Sequence, residues 1–138
     1  FFQFKKQFRI VDFPGYGFSY IPEKKVIKLD NLIEGYLKKR ENIKKIFLLF
    51  DSRHLIKPID RIILESLLEI QNNEINFIFT KTDKIRPLDK KKLSENIDSI
   101  SKEFNKNIFH TSIKESNGIV LLKKFIHKSL DTKIGQNF

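Results

Sequence analysis

Four near-continuous apolar runs rich in Ile and Phe alternate with charged segments along the chain: FRIVDF ending at Phe13, IFLLFD ending at Asp51, INFIFTK ending at Lys81 and NIFHTS ending at Ser112. Unbroken apolar runs, as opposed to strict alternation, fit strands covered on both faces of a parallel sheet. The segments between them have helical spacing. Lys24 to Glu41 sets Val26, Ile27, Leu29, Leu32, Ile33, Tyr36 and Leu37 on one broad stripe; Ile62, Ile63, Leu64, Leu67, Leu68 and Ile70 form a second; Leu93, Ile97, Ile100 and Phe104 form a narrower third. Ile119 to Leu130 supplies the last helix, opened by Asn117 and Gly118. The charge-dense KTDKIRPLDKKKL is expected to be a loop entering a helix at Pro87 and Leu88, with Lys90 to Lys92 in the solvated first turns. Strand and helix thus alternate, which predicts a three-layer α/β fold with a mostly parallel sheet and right-handed crossovers. The opening FFQF, KKQ and FRIVDF instead has the pattern of a hairpin, adding one antiparallel edge strand.

A length of 138 residues suits one domain spanning residues 1–138, with a core burying about two-thirds of the surface its unfolded form exposes. No apolar run reaches the roughly 20 residues of a spanning helix, and the start lacks the order of a signal peptide, so no membrane partner is expected. The absence of Cys removes disulfides, thiolate chemistry and Cys-based metal sites, which suits a reducing compartment, cytoplasm or an organelle matrix. His54, His110 and His127 lie far apart without ligand spacing. The excess of 27 Lys and Arg over 17 Asp and Glu gives a net charge of +10, which favours polyanionic partners such as RNA. A Lys-, Ile-, Asn- and Phe-rich composition can also follow from AT-rich coding sequence, so charge supports a function without founding one. The chain begins at Phe1 and contains no Met, so it is expected to lack its natural start.

Ligands of open α/β sheets bind beyond the carboxyl ends of the strands, and the unusual polar groups of this chain gather there. The first run delivers Asp12, Pro14 and Gly15 as DFPG; the second Asp51, Arg53 and His54; the third Thr80, Lys81 and Asp83 as TKTD; the fourth Thr111 and Ser112. An Asp leaving a strand three residues before a Gly suits a magnesium and phosphate site: the carboxylate holds a water of the metal shell, and the Gly lets a backbone N–H approach a phosphate. An ordinary strand-exit turn has the same pattern. TKTD is more specific, because an ionised Asp83 offers two acceptor oxygens matching the ring N–H and exocyclic amine of guanine, a donor pair adenine lacks. Lys81 can lay its aliphatic stem across the base, and Thr80 can tie the loop to neighbouring backbone.

The order of these pieces is that of a GTPase domain, and VDFPGYGFSY, LIEGYLKKREN, IFLLFDSRHLIKPIDRIILESL and FIFTKTDKI resemble the EngB/YsxC type of small GTPase from Phe1 to about Leu130. PGYG and DSRH followed by Pro and Asp are the most distinctive pieces. The resemblance implies a P-loop GTPase (G domain) fold, GTP or GDP with Mg2+ as cofactors, and a role in assembly of the large ribosomal subunit and in cell division, with rRNA or that subunit as partner and a monomeric state. It gives Asp12 (through water) and Gly15, beside Pro14, the magnesium and γ-phosphate roles. Thr80, Lys81 and Asp83 take the guanine roles; Thr111 and Ser112 match the last motif, the Ser112 N–H meeting the guanine oxygen; and Ile113 stands where many GTPases have Lys. Asp51, Arg53 and His54 are expected to order the loop beside the sheet.

No GxxxxGK[ST] occurs: none of Gly15, Gly17, Gly35, Gly118 and Gly135 precedes a Lys-Ser or Lys-Thr pair at that spacing. The first strand of the family fold and its P-loop are therefore expected to be missing. That strand sits centrally in the family, so its loss is expected to leave a gap between FRIVDF and IFLLFD. Tyr16 stands where Ras-like enzymes carry a water-orienting Gln, which predicts slow hydrolysis without a partner. Three readings stay open at this point: a piece of a ribosome-assembly GTPase, a degenerate basic module that binds rRNA or the ribosome without hydrolysing nucleotide, and a receiver-type α/β domain using Asp12 and Asp51.

Overall fold

The computed structural model describes residues 2–4, 8–13, 15, 23–70 and 74–131. Pro14 and Tyr16 lie outside the described residues, as do the side chains of Val26, Ile27, Leu29 and Ile70. The elements run β1 (Phe2–Phe4), β2 (Phe8–Ile10), α1 (Glu23–Lys38), β3 (Lys45–Asp51), α2 (Pro58–Ile70), β4 (Glu74–Thr80), α3 (Lys90–Phe104), β5 (Asn107–His110) and α4 (Ser116–Asp131), with short 3-10 turns at Thr82–Lys84 and Pro87–Asp89.

β3, β4 and β5 form a parallel sheet in that order, and β1 and β2 form a separate antiparallel hairpin. The expected gap thus falls between β2 and β3: among the described residues no ladder joins the two sheets. This also explains why β2 stops at Ile10, short of the expected Phe13. Its three residues pair with the three of β1, and no described strand on its other edge carries the ladder further.

β4, between two neighbours, is buried from Ile75 to Phe79, as its unbroken apolar run predicts. One face of the sheet carries Leu48, Phe50, Ile75, Phe77 and Phe79 into a core with Leu37 of α1, Ile63, Leu64 and Leu67 of α2, and Leu93, Ile97 and Ile100 of α3. Each fully buried Phe or Ile there contributes about 1.5–3 kcal/mol. The other face is thinner. Phe47 and Phe109 meet Phe125 of α4, with ring centroids 6.4 and 5.0 Å apart, while Leu49 stays 62% exposed. Ile62 and Leu32, expected on the apolar stripes of α2 and α1, are also exposed, because those stripes are broader than the surface they cover.

Local chemistry sets the element ends. Pro58 opens α2, where its missing N–H costs no helical bond, and Asp60 Oδ2 accepts from the Lys57 N–H at 2.6 Å. Asn105 closes α3 in the left-handed conformation at φ 48°, its N–H donating to the Ser101 carbonyl at 2.8 Å. Asn76, fully buried within β4, is satisfied: its amide donates to the carbonyls of Glu74 (3.0 Å) and Ile46 (3.4 Å) and accepts from Asn107 Nδ2 (3.0 Å). α4 meets β5 closely at Gly118, where a Cβ would lie 1.7 Å from the His110 carbonyl oxygen.

Candidate functional site

The register of β3 with β4 aligns Asp51 with Thr80, so the two strands deliver their last residues side by side. Thr80 Oγ1 donates to the Phe50 carbonyl at 3.1 Å, and the Ser52 N–H donates to the Thr80 carbonyl at 2.9 Å. Lys81 then leaves the strand in the left-handed region, φ 59° and ψ 36°. For a residue with a Cβ this costs about 1–2 kcal/mol, and it ends β4 one residue before the expected Lys81. The chain turns into Thr82–Lys84, closed by a bond from the Lys84 N–H to the Lys81 carbonyl at 2.9 Å.

The β5 exit braces this turn from the other side. The Thr111 N–H donates to the Phe79 carbonyl at 2.8 Å, and the Thr111 carbonyl accepts from both the N–H and Oγ1 of Thr82 at 3.2 Å. Ser112 Oγ donates to Asp83 Oδ1 at 2.9 Å and accepts from the N–H groups of Lys114 (3.0 Å) and Glu115 (3.3 Å). The buried Ser112 hydroxyl is therefore locked in one orientation and holds the partly exposed Asp83 carboxylate by one oxygen. An ionised carboxylate has about four lone-pair sites, so the held group still offers acceptors on both oxygens to a ligand. Ile113, beside Ser112, is 98% exposed.

On the β3 side, Asp51 is the most heavily engaged carboxylate of the region. Arg53 meets it through Nε, 2.9 and 3.1 Å from the two oxygens, and Nη2 at 2.6 Å; the Arg53 N–H adds 3.0 Å, and Lys81 Nζ stands 2.8 Å from Oδ2. The Arg53 guanidinium, with Lys81 second, holds this carboxyl well below the usual carboxylate range against the opposing effect of burial. The His54 N–H donates to the Asp51 carbonyl at 3.0 Å and closes the turn.

Asp12 and Gly15 stand apart, exposed in the stretch leaving β2, and among the described residues neither hydrogen-bonds to the loops after β4 and β5. Pro14, between them, is outside the described residues. Nor do the described residues gather three or more His or acidic side chains for a metal. The Asp12 carboxylate, a hard oxygen donor, fits a magnesium ion that keeps most of its water shell.

No protein-family model matches the chain. It is, however, similar to curated proteins named "Probable GTP-binding protein EngB": 39% identical over 99 residues to that of Wolbachia pipientis wMel (72% of this chain, 48% of the relative), 36% over 124 residues to that of Rhizobium etli CIAT 652 (88% and 57%), and 34% over 132 residues to that of Rickettsia bellii OSU 85-389 (94% and 61%). Over most of its length the chain is thus similar to EngB proteins. It spans about half to three-fifths of the length of these EngB relatives.

Within this chain, the strand-end residues Thr80, Lys81, Asp83, Thr111 and Ser112 form one connected cluster, and Asp12 and Gly15 do not join it. Two links went unseen in the sequence. The Ser112 hydroxyl on Asp83 joins residues 29 apart, and the Lys81 ammonium on Asp51 joins residues 30 apart. Both follow from strand register, and DSRH carried the only local signal, a carboxylate two residues before an Arg.

Proposed function

We propose that the protein to which this chain contributes binds guanine nucleotides and hydrolyses GTP, and that this chain supplies its base-reading end. The observation that carries the reading is Asp83, turned out at the carboxyl edge of the sheet and held through one oxygen by Ser112. A carboxylate so fixed matches the ring N–H and exocyclic amine of guanine, and the two charge-assisted bonds are worth about 1.5–3 kcal/mol each. The Ser112 N–H is assigned to the guanine oxygen, the Lys81 stem to one base face, and the exposed Ile113 to contact with the base rim. The relatives' name, GTP-binding protein, supports the same ligand.

Asp12 and Gly15 take the γ-phosphate side, Asp12 touching the water shell of Mg2+. Magnesium, when bound, neutralises developing charge on the phosphates. Tyr16, a phenol where a carboxamide orients water in Ras-like enzymes, makes hydrolysis slow until a partner reorganises the site. That partner is assigned as the large ribosomal subunit or its rRNA. The net charge of +10 supports it, as do the exposed Lys84, Arg86, Lys90, Lys91 and Lys92 in one stretch after the base-reading loop. The resemblance to EngB GTPases would make the role that of a monomeric cytoplasmic protein of ribosome assembly with an effect on cell division.

The same charge favours a second reading, a non-hydrolysing RNA-binding module. Displacement of a fluorescent GDP analogue from the protein made from its full reading frame separates the two. GDP and GTP are expected to displace it at least about a hundredfold better than ADP and ATP, and Asp83→Ala to abolish that preference. Equal displacement by all four nucleotides would sink the guanine reading and leave the RNA module.

A further inference from the structure

We infer that Asp51 is a positioning residue of the base-reading loop: its carboxylate, at the end of β3, fixes the Lys81 ammonium and with it the stem assigned to the face of the base. The inference rests on the guanine reading above and adds to it a residue of a different strand.

Lys81 has positive φ, and a side chain with a Cβ persists in the left-handed region only where its surroundings over-determine it. The other described case, Asn105, is a helix cap of a residue type that enters this region readily. At Lys81 the restraint comes from both sides. Thr111 holds the next residue, Thr82, by two hydrogen bonds, and Asp51 takes the Lys81 side chain at 2.8 Å.

Asp51 is itself immobilised. Arg53 grips both oxygens through its guanidinium and one of them through its N–H, and the register places Asp51 opposite Thr80, one residue before Lys81. The ammonium is thus anchored to a sheet strand through a rigid fork and not to a flexible loop. The pair is partly exposed, so it adds little to folding in water. A base laid on the Lys81 stem would exclude water from one side of the pair, strengthening it where the ligand binds. Its effect is therefore larger on nucleotide affinity than on stability, which an ordinary surface ion pair would not produce.

The test is a double-mutant cycle in the protein made from its full reading frame, with fluorescent GDP affinity and thermal midpoint read together. Asp51→Asn and Lys81→Met are each expected to weaken GDP binding by about tenfold or more, and the double variant to bind within about twofold of the weaker single. The thermal midpoint of Asp51→Asn should fall by no more than about 4 °C. GDP affinity of Asp51→Asn within about twofold of the wild type, or losses that multiply in the double variant, would overturn the inference. Should Asp51→Asn not fold, Asp51→Glu, which moves the charge outward by one methylene, enters the same cycle under the same criteria. The wild-type arm is measured first: a wild type without guanine preference overturns the ligand reading, whereas a wild type with it and an uncoupled cycle overturns only the role of Asp51.

Discussion

The loops after β4 and β5 and the stretch leaving β2 are built from similar residues, strand-end Asp with Thr or Gly, yet the structure treats them oppositely. Thr80, Lys81, Thr82, Asp83, Thr111 and Ser112 are joined by hydrogen bonds to each other, to β3 and to the β4 backbone. Asp12 and Gly15 are exposed and unbraced by those loops. The difference follows from the sheet. β4 has a neighbour on each side, so its exit is supported by the ends of both β3 and β5, whereas among the described residues β2 pairs only with the three residues of β1. A strand end becomes a preorganised site when its neighbours end beside it. The proposed division of labour follows that line, with a base-reading end complete in this chain and a phosphate end that is not.

The contrast is broken most forcefully at Gly118. A methyl there would lie 1.7 Å from the His110 carbonyl oxygen, which neither backbone can accommodate in place, so Gly118→Ala must part α4 from β5. A loss of about 3 kcal/mol or more is expected in urea denaturation. A loss below about 1 kcal/mol would mean that the β5 exit is less rigid than drawn. Ser112→Ala is the next step down. It removes the bond that orients Asp83 and leaves the Lys114 and Glu115 N–H groups without their acceptor. A cost of about 1–3 kcal/mol in stability is expected, together with a weaker guanine preference in nucleotide competition.

Acid exposes a smaller asymmetry. Because Arg53 and Lys81 depress the pKa of Asp51, the folded chain favours the ionised form more than the unfolded chain does. The stability this gives is complete above the ordinary carboxylate pKa of about 3.9 and is lost as pH falls towards the depressed value. Asp51→Asn should therefore flatten the loss of stability between about pH 5 and pH 2, and an unchanged slope would contradict the ion-pair geometry. At the bottom of the scale, Asp12→Ala should shift the stability of this chain by less than about 0.5 kcal/mol, because the side chain is exposed.

What could be seen in the sequence divides along the same line. INFIFTK was legible as a buried strand because β4 is covered on both faces, and Leu93, Ile97 and Ile100 were legible as a helix face because all three enter one core. Ile62 and Leu49 misled the eye: periodicity says which side a residue lies on, not whether anything covers that side. Thr80, Lys81 and Asp83 could be read as a unit because they are adjacent. Asp51 and Ser112 could be placed at the same sheet edge, but their contacts with Lys81 and Asp83 could not be read, since each is some thirty residues from its partner and meets it only through parallel register. The left-handed backbone at Lys81 had no sequence signal at all, for neither Gly nor Asn stands there.

The central claim is that Asp83 reads guanine, and exchange of one of its oxygens for an amide tests it most directly. Asp83→Asn, in the protein made from its full reading frame, replaces an acceptor with a donor. That change mismatches the exocyclic amine of guanine and matches the carbonyl that xanthine carries in the same place. In competition against fluorescent GDP and XDP analogues, the wild type should prefer the guanine nucleotide and Asp83→Asn the xanthine nucleotide, a reversal of about a hundredfold or more in the ratio. A ratio unchanged by the substitution would contradict the assignment.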